Sequence, residues 1–360
     1  MSIDFIKLCG ISEVKDGIVL PLATGMTISL SLLSLRQQRP RAKYVVWFRV
    51  DQKTCLKSIL TCGLEPIIIK PRLEGDELVT DLDALREVLE TTPHEDILCI
   101  IPTTSVFAPR LPDDVEGVAR MAKTFDLPVL VNNAYGLQSA AVCKAINRAI
   151  RVGRVDLLVS STDKNLMVPV GGAFVYSPSS APIESIRKNY PGRASMAPIL
   201  DVFITLLSMG KTKIQTYLQQ REECYCYLRE RLEEVAAKFH QRVLEVPRNP
   251  ISLAVTLDSP FPDDPQFKYS DGDITKFGAM LYTRGVSGAR CVGYHNKKSV
   301  GAYEFENYGG HCDCYPHAYF TAAAAIGICR EDVDVFIERL EKNWKQYIKD
   351  LEKKRKKAQA

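Results

Sequence analysis

Lys164 sits in the polar triplet Asp163–Lys164–Asn165, between an apolar β-like run and the loop MVPVGGA (Met167–Ala173). Upstream, VNNAYG (Val131–Gly136) closes another apolar run and carries Asn132. A lysine after one buried strand can form a Schiff base with an aldehyde. A polar side chain after a neighbouring strand can meet a pyridine nitrogen. Together these are the means by which one large enzyme class holds pyridoxal phosphate. Aspartate at the second position would keep the ring nitrogen protonated. Asparagine hydrogen-bonds to it and brings no charge. The weaker electron sink suits loss of a good leaving group from a β-carbon better than transamination or decarboxylation. The plain alternatives are an exposed loop lysine and a turn amide. Gly171 and Gly172 imply close backbone packing beside the lysine, which favours a formed pocket.

Other residues suit the same chemistry less specifically. Thr24 and Gly25, in ATGM, open a helical stretch running to about Gln38. Backbone N–H groups and a hydroxyl at a helix start can cradle a phosphate, although Thr24 serves equally as a plain N-cap. Asp51, Gln52 and Lys53 follow the β-like run Tyr44–Phe48, where site residues of open α/β sheets lie. TTSVFAPR (Thr103–Arg110) offers hydroxyls after another run. Arg193 (in YPGRAS) and Arg290 (in VSGAR) are candidate grips for a phosphate or carboxylate, or ordinary salt-bridge arginines. His311, Cys312 and Cys314 lack a second pair at zinc spacing, so no metal site is expected. The stretch Lys342–Lys357 is strongly basic. It fits a solvated helix end better than a track for a phosphate backbone.

These residues need a scaffold, and the apolar pattern supplies one. β-like runs at Tyr44–Phe48, Ile67–Ile69, Ile97–Ile101, Val129–Val131, Leu157–Val159 and Ala173–Tyr176 alternate with helical stretches. Runs apolar on both faces predict a mostly parallel sheet covered by helices, an α/β domain over residues 1–190. Residues 191–360 predict a smaller α+β domain with a basic tail. Its elements are a helical pattern from Ile199 to Phe239, a strand at Ile251–Leu257, and late helices at Ala318–Ile328 and Asp332–Leu351. The chain has 360 residues, 46% hydrophobic and 25% charged, with net charge +4, as expected of an ordinary globular protein. No apolar run is long enough to span a membrane. Eleven irregularly spaced cysteines fit free thiols in a reducing cytoplasm.

Taken together, PLATGM, RPRAKYVVWFRVDQKTC, TTSVFAPR, VNNAYGLQS, RVGRVD, STDKNLMVPVGGA, YPGRAS, LDVFITLLSMG and VSGAR resemble the O-phosphoseryl-tRNA(Sec) selenium transferase family along nearly the whole chain. The resemblance implies the aspartate-aminotransferase-like fold of fold-type I pyridoxal-phosphate enzymes. It implies β-elimination of phosphate from phosphoseryl-tRNA(Sec), selenium addition from selenophosphate, and a homotetrameric assembly in the full-length family. It places the cofactor on Lys164 and the pyridine partner at Asn132. The cofactor's phosphate falls at Thr24 and Gly25, and Gln52 and Lys53 lie beside its ring. Arg193 falls on the substrate phosphate, and Arg151 and Arg290 on the tRNA acceptor end. The family carries a segment before PLATGM that helps hold the substrate phosphate. The chain starts shortly before that motif, so cofactor binding with weak turnover is expected. A related sulfur-transferring enzyme and a silent tRNA-binding form are the alternatives.

Overall fold

The protein is described from a computed structural model covering residues 1–359 except Pro265. Its central sheet runs in the spatial order Glu65–Ile69, Tyr44–Phe48, Ile97–Ile101, Leu130–Asn132, Leu157–Ser161, Ala173–Ser177, Asp16–Leu20. Isolated parallel bridges, Ile100 to Val129 and Thr103 to Asn132, join its two halves. Only Ala173–Ser177 runs against the rest. Alternation along each strand fills two cores. Val46, Val131 and Leu158 enter one, while Val45, Leu130 and Leu157 enter the other. Burial on both faces is why these runs read as continuously apolar. The short strand Asp16–Leu20, at the sheet edge, is not among the runs picked out from sequence.

Two turns explain why the ends of these elements reach one place. Gly136 has no room for a side chain, since a Cβ there would fall 1.9 Å from Asn133 Oδ1. Gly25 is similar: a Cβ would sit 2.5 Å from Thr54 Cγ2. The starts of the helices Thr24–Gln38 and Lys53–Thr61 therefore come together at the C-terminal edge of the sheet.

The helix Ala197–Ala237 is interrupted at Gly210, whose φ of 61° and ψ of −178° are not helical. Val202, Leu206 and Ile214 pack on the first core. Leu228, Leu232 and Val235 pack with the C-terminal residues. Those residues form a three-stranded antiparallel sheet, with Tyr319–Ala323 between Ser252–Thr256 and Arg290–Val292, backed by the helices Asp271–Thr283 and Arg330–Gln359.

The helix expected at Ala318–Ile328 is instead this central strand, followed by a turn with Gly327 at φ 91°. The run of alanines suggests a helix. Phe320 and Tyr319, both buried, face opposite sides of a strand bonded along both edges, and tertiary pairing prevails over propensity. Among the described residues no helix is long and apolar enough to cross a membrane.

Candidate active site

Lys164 lies on the short helix Thr162–Leu166, directly after the strand Leu157–Ser161. Its backbone is clamped from three sides. Thr162 Oγ1 donates to Gly172 O at 2.9 Å, and Asn165 Nδ2 donates to Ala134 O at 2.9 Å. Gln138 Nε2 donates to Lys164 O at 3.0 Å, while Gln138 Oε1 accepts from Ile326 N at 2.8 Å. The side chain stays about half exposed, with Nζ 3.3 Å from Ser161 Oγ and 3.7 Å from Asp163 Oδ2. It borders a cavity of about 220 Å³ whose walls include Phe107, Tyr135, Ile251 and Ile326. A wider depression of about 600 Å³ lies elsewhere, around Arg72, Asp113 and Arg148. Each of those three charges already has a partner, so that depression is an ordinary surface hollow.

Asn132 ends the next strand, opposite Val159. It is buried, and its Nδ2 donates to Cys55 Sγ at 3.2 Å. The neighbouring Asn133 is bonded differently. It accepts from Thr104 Oγ1 at 2.6 Å and donates to Tyr176 Oη at 2.9 Å. Asn133 is therefore consumed by the scaffold, whereas Asn132 Oδ1 has no partner. Thr24 Oγ1, Thr103 Oγ1 and Tyr135 Oη are likewise buried and unpartnered. Burial also holds the Tyr135 phenol well above its ordinary range, so it is neutral. Buried polar atoms are nearly always satisfied; of these four, Tyr135 shares the Lys164 cavity and Asn132 ends the strand beside it, which suits a polar ligand there. These donors and acceptors fit pyridoxal phosphate, with its aldehyde, ring nitrogen and phosphate.

The remaining sequence candidates divide. Gln52 precedes the helix Lys53–Thr61 and donates to Ser105 O at 3.4 Å, beside Tyr135. Lys53 opens that helix. The Lys298 ammonium is held below its usual range, chiefly by Lys53 and also by Arg290. Lys298 also lies 5.2 Å over the Tyr308 ring. Arg290 reaches over Gly309, where a Cβ would meet Nη2 at 2.9 Å. None of these three cations has an ion pair among the described residues, so they form a positive cluster that Lys298 extends beyond the sequence candidates.

Arg193 is exposed, at φ 55°, in the loop before the long helix, and does not line the Lys164 cavity. Arg151 ends the helix Ala140–Val152 and pairs with Glu13 at 2.8 Å. That helix feeds the start of the strand that leads to Lys164, so Arg151 lies a strand length away, on the order of 15 Å.

Asp51 neither caps the helix nor faces the cavity. It pairs with buried Arg49 at 2.9 Å and accepts from Gly309 N and His311 N at 2.8 and 2.7 Å. Arg110 is buried against Asp113, and Arg187 pairs with Asp16 at 2.9 Å, so both are occupied. No metal-binding cluster occurs among the described residues.

A family model described as O-phosphoseryl-tRNA(Sec) selenium transferase matches residues 1–345. The chain belongs to this family. The family's Dictyostelium discoideum transferase is 42% identical over 352 residues, covering 94% of this chain and 74% of that protein. The Caenorhabditis elegans transferase is 40% identical, covering 97% and 70%. A crystal structure of an archaeal member of the family superposes with TM-score 0.80 at 28% identity, over 94% of this chain and 72% of that one. A Lactobacillus brevis glutamate decarboxylase shares the fold at TM-score 0.69 and 13% identity. The family's fold is thus that of fold-type I pyridoxal-phosphate enzymes.

Cys55, Tyr135 and Lys298 escape sequence reading. Cys55 is 77 residues from Asn132 and looks like a core thiol. Tyr135 was within reach as part of VNNAYG, but nothing in the run distinguishes a ligand-facing phenol from a packed one.

Proposed function

We propose that this chain converts O-phosphoseryl-tRNA(Sec) to selenocysteinyl-tRNA(Sec), with pyridoxal phosphate on Lys164 and selenophosphate as selenium donor. The observation that carries the reading is the pairing of the Lys164 ammonium with buried, unpartnered polar atoms at the ends of adjacent strands, in a chain of this family. When bound, the cofactor supplies an aldehyde for an amine and a ring that takes up the electron pair of a breaking Cα–H bond. Lys164 would anchor it and, with its amine free, would accept the α-proton at Nζ. Asn132 orients the ring through a neutral amide. Thr24 and Gly25 hold the cofactor phosphate at a helix start, where backbone N–H groups and the helix dipole favour an anion. Gln52 and Lys53 flank the ring. Phosphate departs from the β-carbon with the C–O electron pair, and the family resemblance assigns its reception to Arg193, although that side chain lies outside the Lys164 cavity. The selenium of selenophosphate then adds at the same carbon, the proton held at Lys164 Nζ returns to Cα, and water cleaves the Se–P bond to release phosphate. Lys298 and Arg290 attract the acceptor end of the tRNA, and Arg151 contacts it from the far edge of the sheet.

Assembly into a homotetramer is supported by an exposed apolar stripe, Leu200, Phe203, Ile204 and Leu207, on the long helix. A cytoplasmic setting is supported by eleven free cysteines. The test is product analysis. Purified protein with pyridoxal phosphate, phosphoseryl-tRNA and selenophosphate is expected to give selenocysteinyl-tRNA at a low rate, with Arg193→Ala losing most of that turnover. Cysteinyl-tRNA from sulfide as the preferred product would instead assign a sulfur transferase. Cofactor that borohydride does not fix to Lys164 would remove the site assignment.

A further inference from the structure

The two ends of the Asn132 amide keep different company. Nδ2 donates to Cys55 Sγ at 3.2 Å, while Oδ1 is buried without a partner. An amide can meet a ring nitrogen in two ways. Its oxygen can accept only from a protonated N–H, whereas its NH2 can donate only to a bare nitrogen lone pair. What holds the amide therefore decides which form of the ring the site favours.

We propose that Cys55 is a positioning residue that turns the Asn132 oxygen toward the pyridine nitrogen of pyridoxal phosphate, so that Asn132 acts as an acceptor and the nitrogen carries a proton. This rests on the reading of the site given above. Cys55 is buried in the first turn of the helix Lys53–Thr61. Its neighbour Thr54 is packed against Gly25, and Ser58 Oγ donates to Gly25 O at 3.0 Å. The backbone that carries the sulfur is thus held against the start of the adjoining helix. The thiol is neutral: burial pushes it up to about 12, against the Asn132 hydrogen bond and the Lys164 cation. It adds no negative charge to the ring. A neutral acceptor stabilises a protonated ring less than a carboxylate would, so the sink remains weaker than one built on aspartate. Asn133 cannot substitute, because both ends of its amide are already bonded.

The experiment uses pyridoxal phosphate labelled with ¹⁵N in the ring, bound to the full chain and to Cys55→Ala and Cys55→Ser. The nitrogen chemical shift reports its protonation, and cofactor affinity is measured alongside. The wild-type nitrogen is expected to be protonated. Cys55→Ala frees the amide to turn. It is expected to move the shift toward the bare nitrogen and to weaken cofactor binding about two- to tenfold, the size of one hydrogen bond. Cys55→Ser keeps an acceptor and is expected to restore the wild-type shift. A bare nitrogen in the wild type overturns the proposal, as does an unchanged shift in Cys55→Ala. A serine variant that behaves like the alanine one also overturns it, because volume rather than hydrogen bonding would then be the cause. In all three cases the cofactor is still fixed to Lys164 and the proposed function stands. A wild type that takes no cofactor on Lys164 sinks both.

Discussion

Two clusters of buried polar groups sit at the C-terminal edge of the same sheet and differ in one respect. Around Asp51 the carboxylate's own bonds are closed, although both amide atoms of buried Asn307, in the loop that holds Gly309 and His311, have no partner. The Asp51 carboxylate holds Arg49 at 2.9 Å and two backbone N–H groups, and its own N–H donates to His311 Nδ1 at 2.9 Å. Around Asn132 the set is open, with unpartnered atoms on Thr24, Thr103, Asn132 and Tyr135. Burial and residue type are alike in the two places. What separates a seam from a site is satisfaction: a closed network holds two parts of the chain together, and an open one leaves capacity for a ligand. The sequence offered Asn132 as the more specific candidate and Asp51 as either a site residue or a plain helix cap, each a polar residue after a strand. Only the partners distinguish them.

The open cluster should fail in function while keeping its fold. Lys164→Ala is expected to abolish the borohydride-fixed cofactor and to lower turnover by at least ~10²–10⁴, the proton-transfer share alone. The side chain is half exposed, so the thermal midpoint should barely move. A variant with wild-type fixation would break the comparison outright.

The closed cluster should fail in the opposite sense. Asp51→Ala leaves the Arg49 guanidinium buried with only the half-exposed Asp313 as a counter-charge. Removing one partner of a buried pair destabilises by about 3–5 kcal/mol. Urea unfolding is the measurement, and the folded fraction should still take cofactor onto Lys164. Unchanged stability would mean that the Asp51 network is incidental.

The same seam carries a pH signature. Burial, opposed by Asp51, lowers His311 to about 3. A depressed pKa means that the unfolded chain binds the proton first, near 6.5. Stability is therefore full above about pH 6.5 and falls as the pH drops toward the folded value, by up to ~1.4 kcal/mol per unit. His311 lies at φ 66°, a region asparagine tolerates, and asparagine can still accept from Asp51 N–H. His311→Asn is thus expected to flatten the acid limb of a stability-versus-pH curve. A variant as acid-sensitive as the wild type would assign that limb to other groups.

Much of the scaffold was legible because it is written in short-range pattern. Tyr44–Phe48 and Ile97–Ile101 are strands with the bounds their apolar runs suggest. The placement of Lys164 and Asn132 at strand ends was legible because each closes or follows such a run. Partnerships were not legible. The Asn132–Cys55 contact spans 77 residues and the Asp51–His311 contact 260, and no local rule encodes either. The Ala318–Ile328 error has the same origin. Four consecutive alanines favour a helix locally, and two flanking strands impose the opposite state.

Lys298 tests whether the rule extends to charge. Lys53, Lys298 and Arg290 converge without an ion pair among the described residues, and Lys298 titrates low because of the other two. If the cluster meets RNA, Lys298→Ala should weaken tRNA binding and reduce the slope of log affinity against log salt by about 0.7–0.9, one phosphate. An unchanged slope would leave Lys298 as a cation stacked on Tyr308.

The basic tail should show the smallest effect, and the reason marks where the comparison stops applying. Lys354 pairs with Asp273 at 2.6 Å, and Arg355 with Asp264 at 2.6 Å. Lys345 pairs with Glu341 at 2.6 Å, and Lys342 with Glu338. Lys349, Lys353, Lys356 and Lys357 have no ion pair among the described residues, yet they lie on the outer surface of the last helix. Water satisfies an exposed ammonium as well as a phosphate does, so an unpaired exposed cation carries none of the meaning of an unpaired buried amide. Replacing these four lysines with glutamine is therefore expected to leave the salt slope of tRNA binding unchanged to within about one phosphate. If all four touched the backbone, the slope would fall by roughly 3–4. A drop of that size would make the tail a working part of the RNA surface. It would also show that on this face charge density, not satisfaction, identifies the ligand.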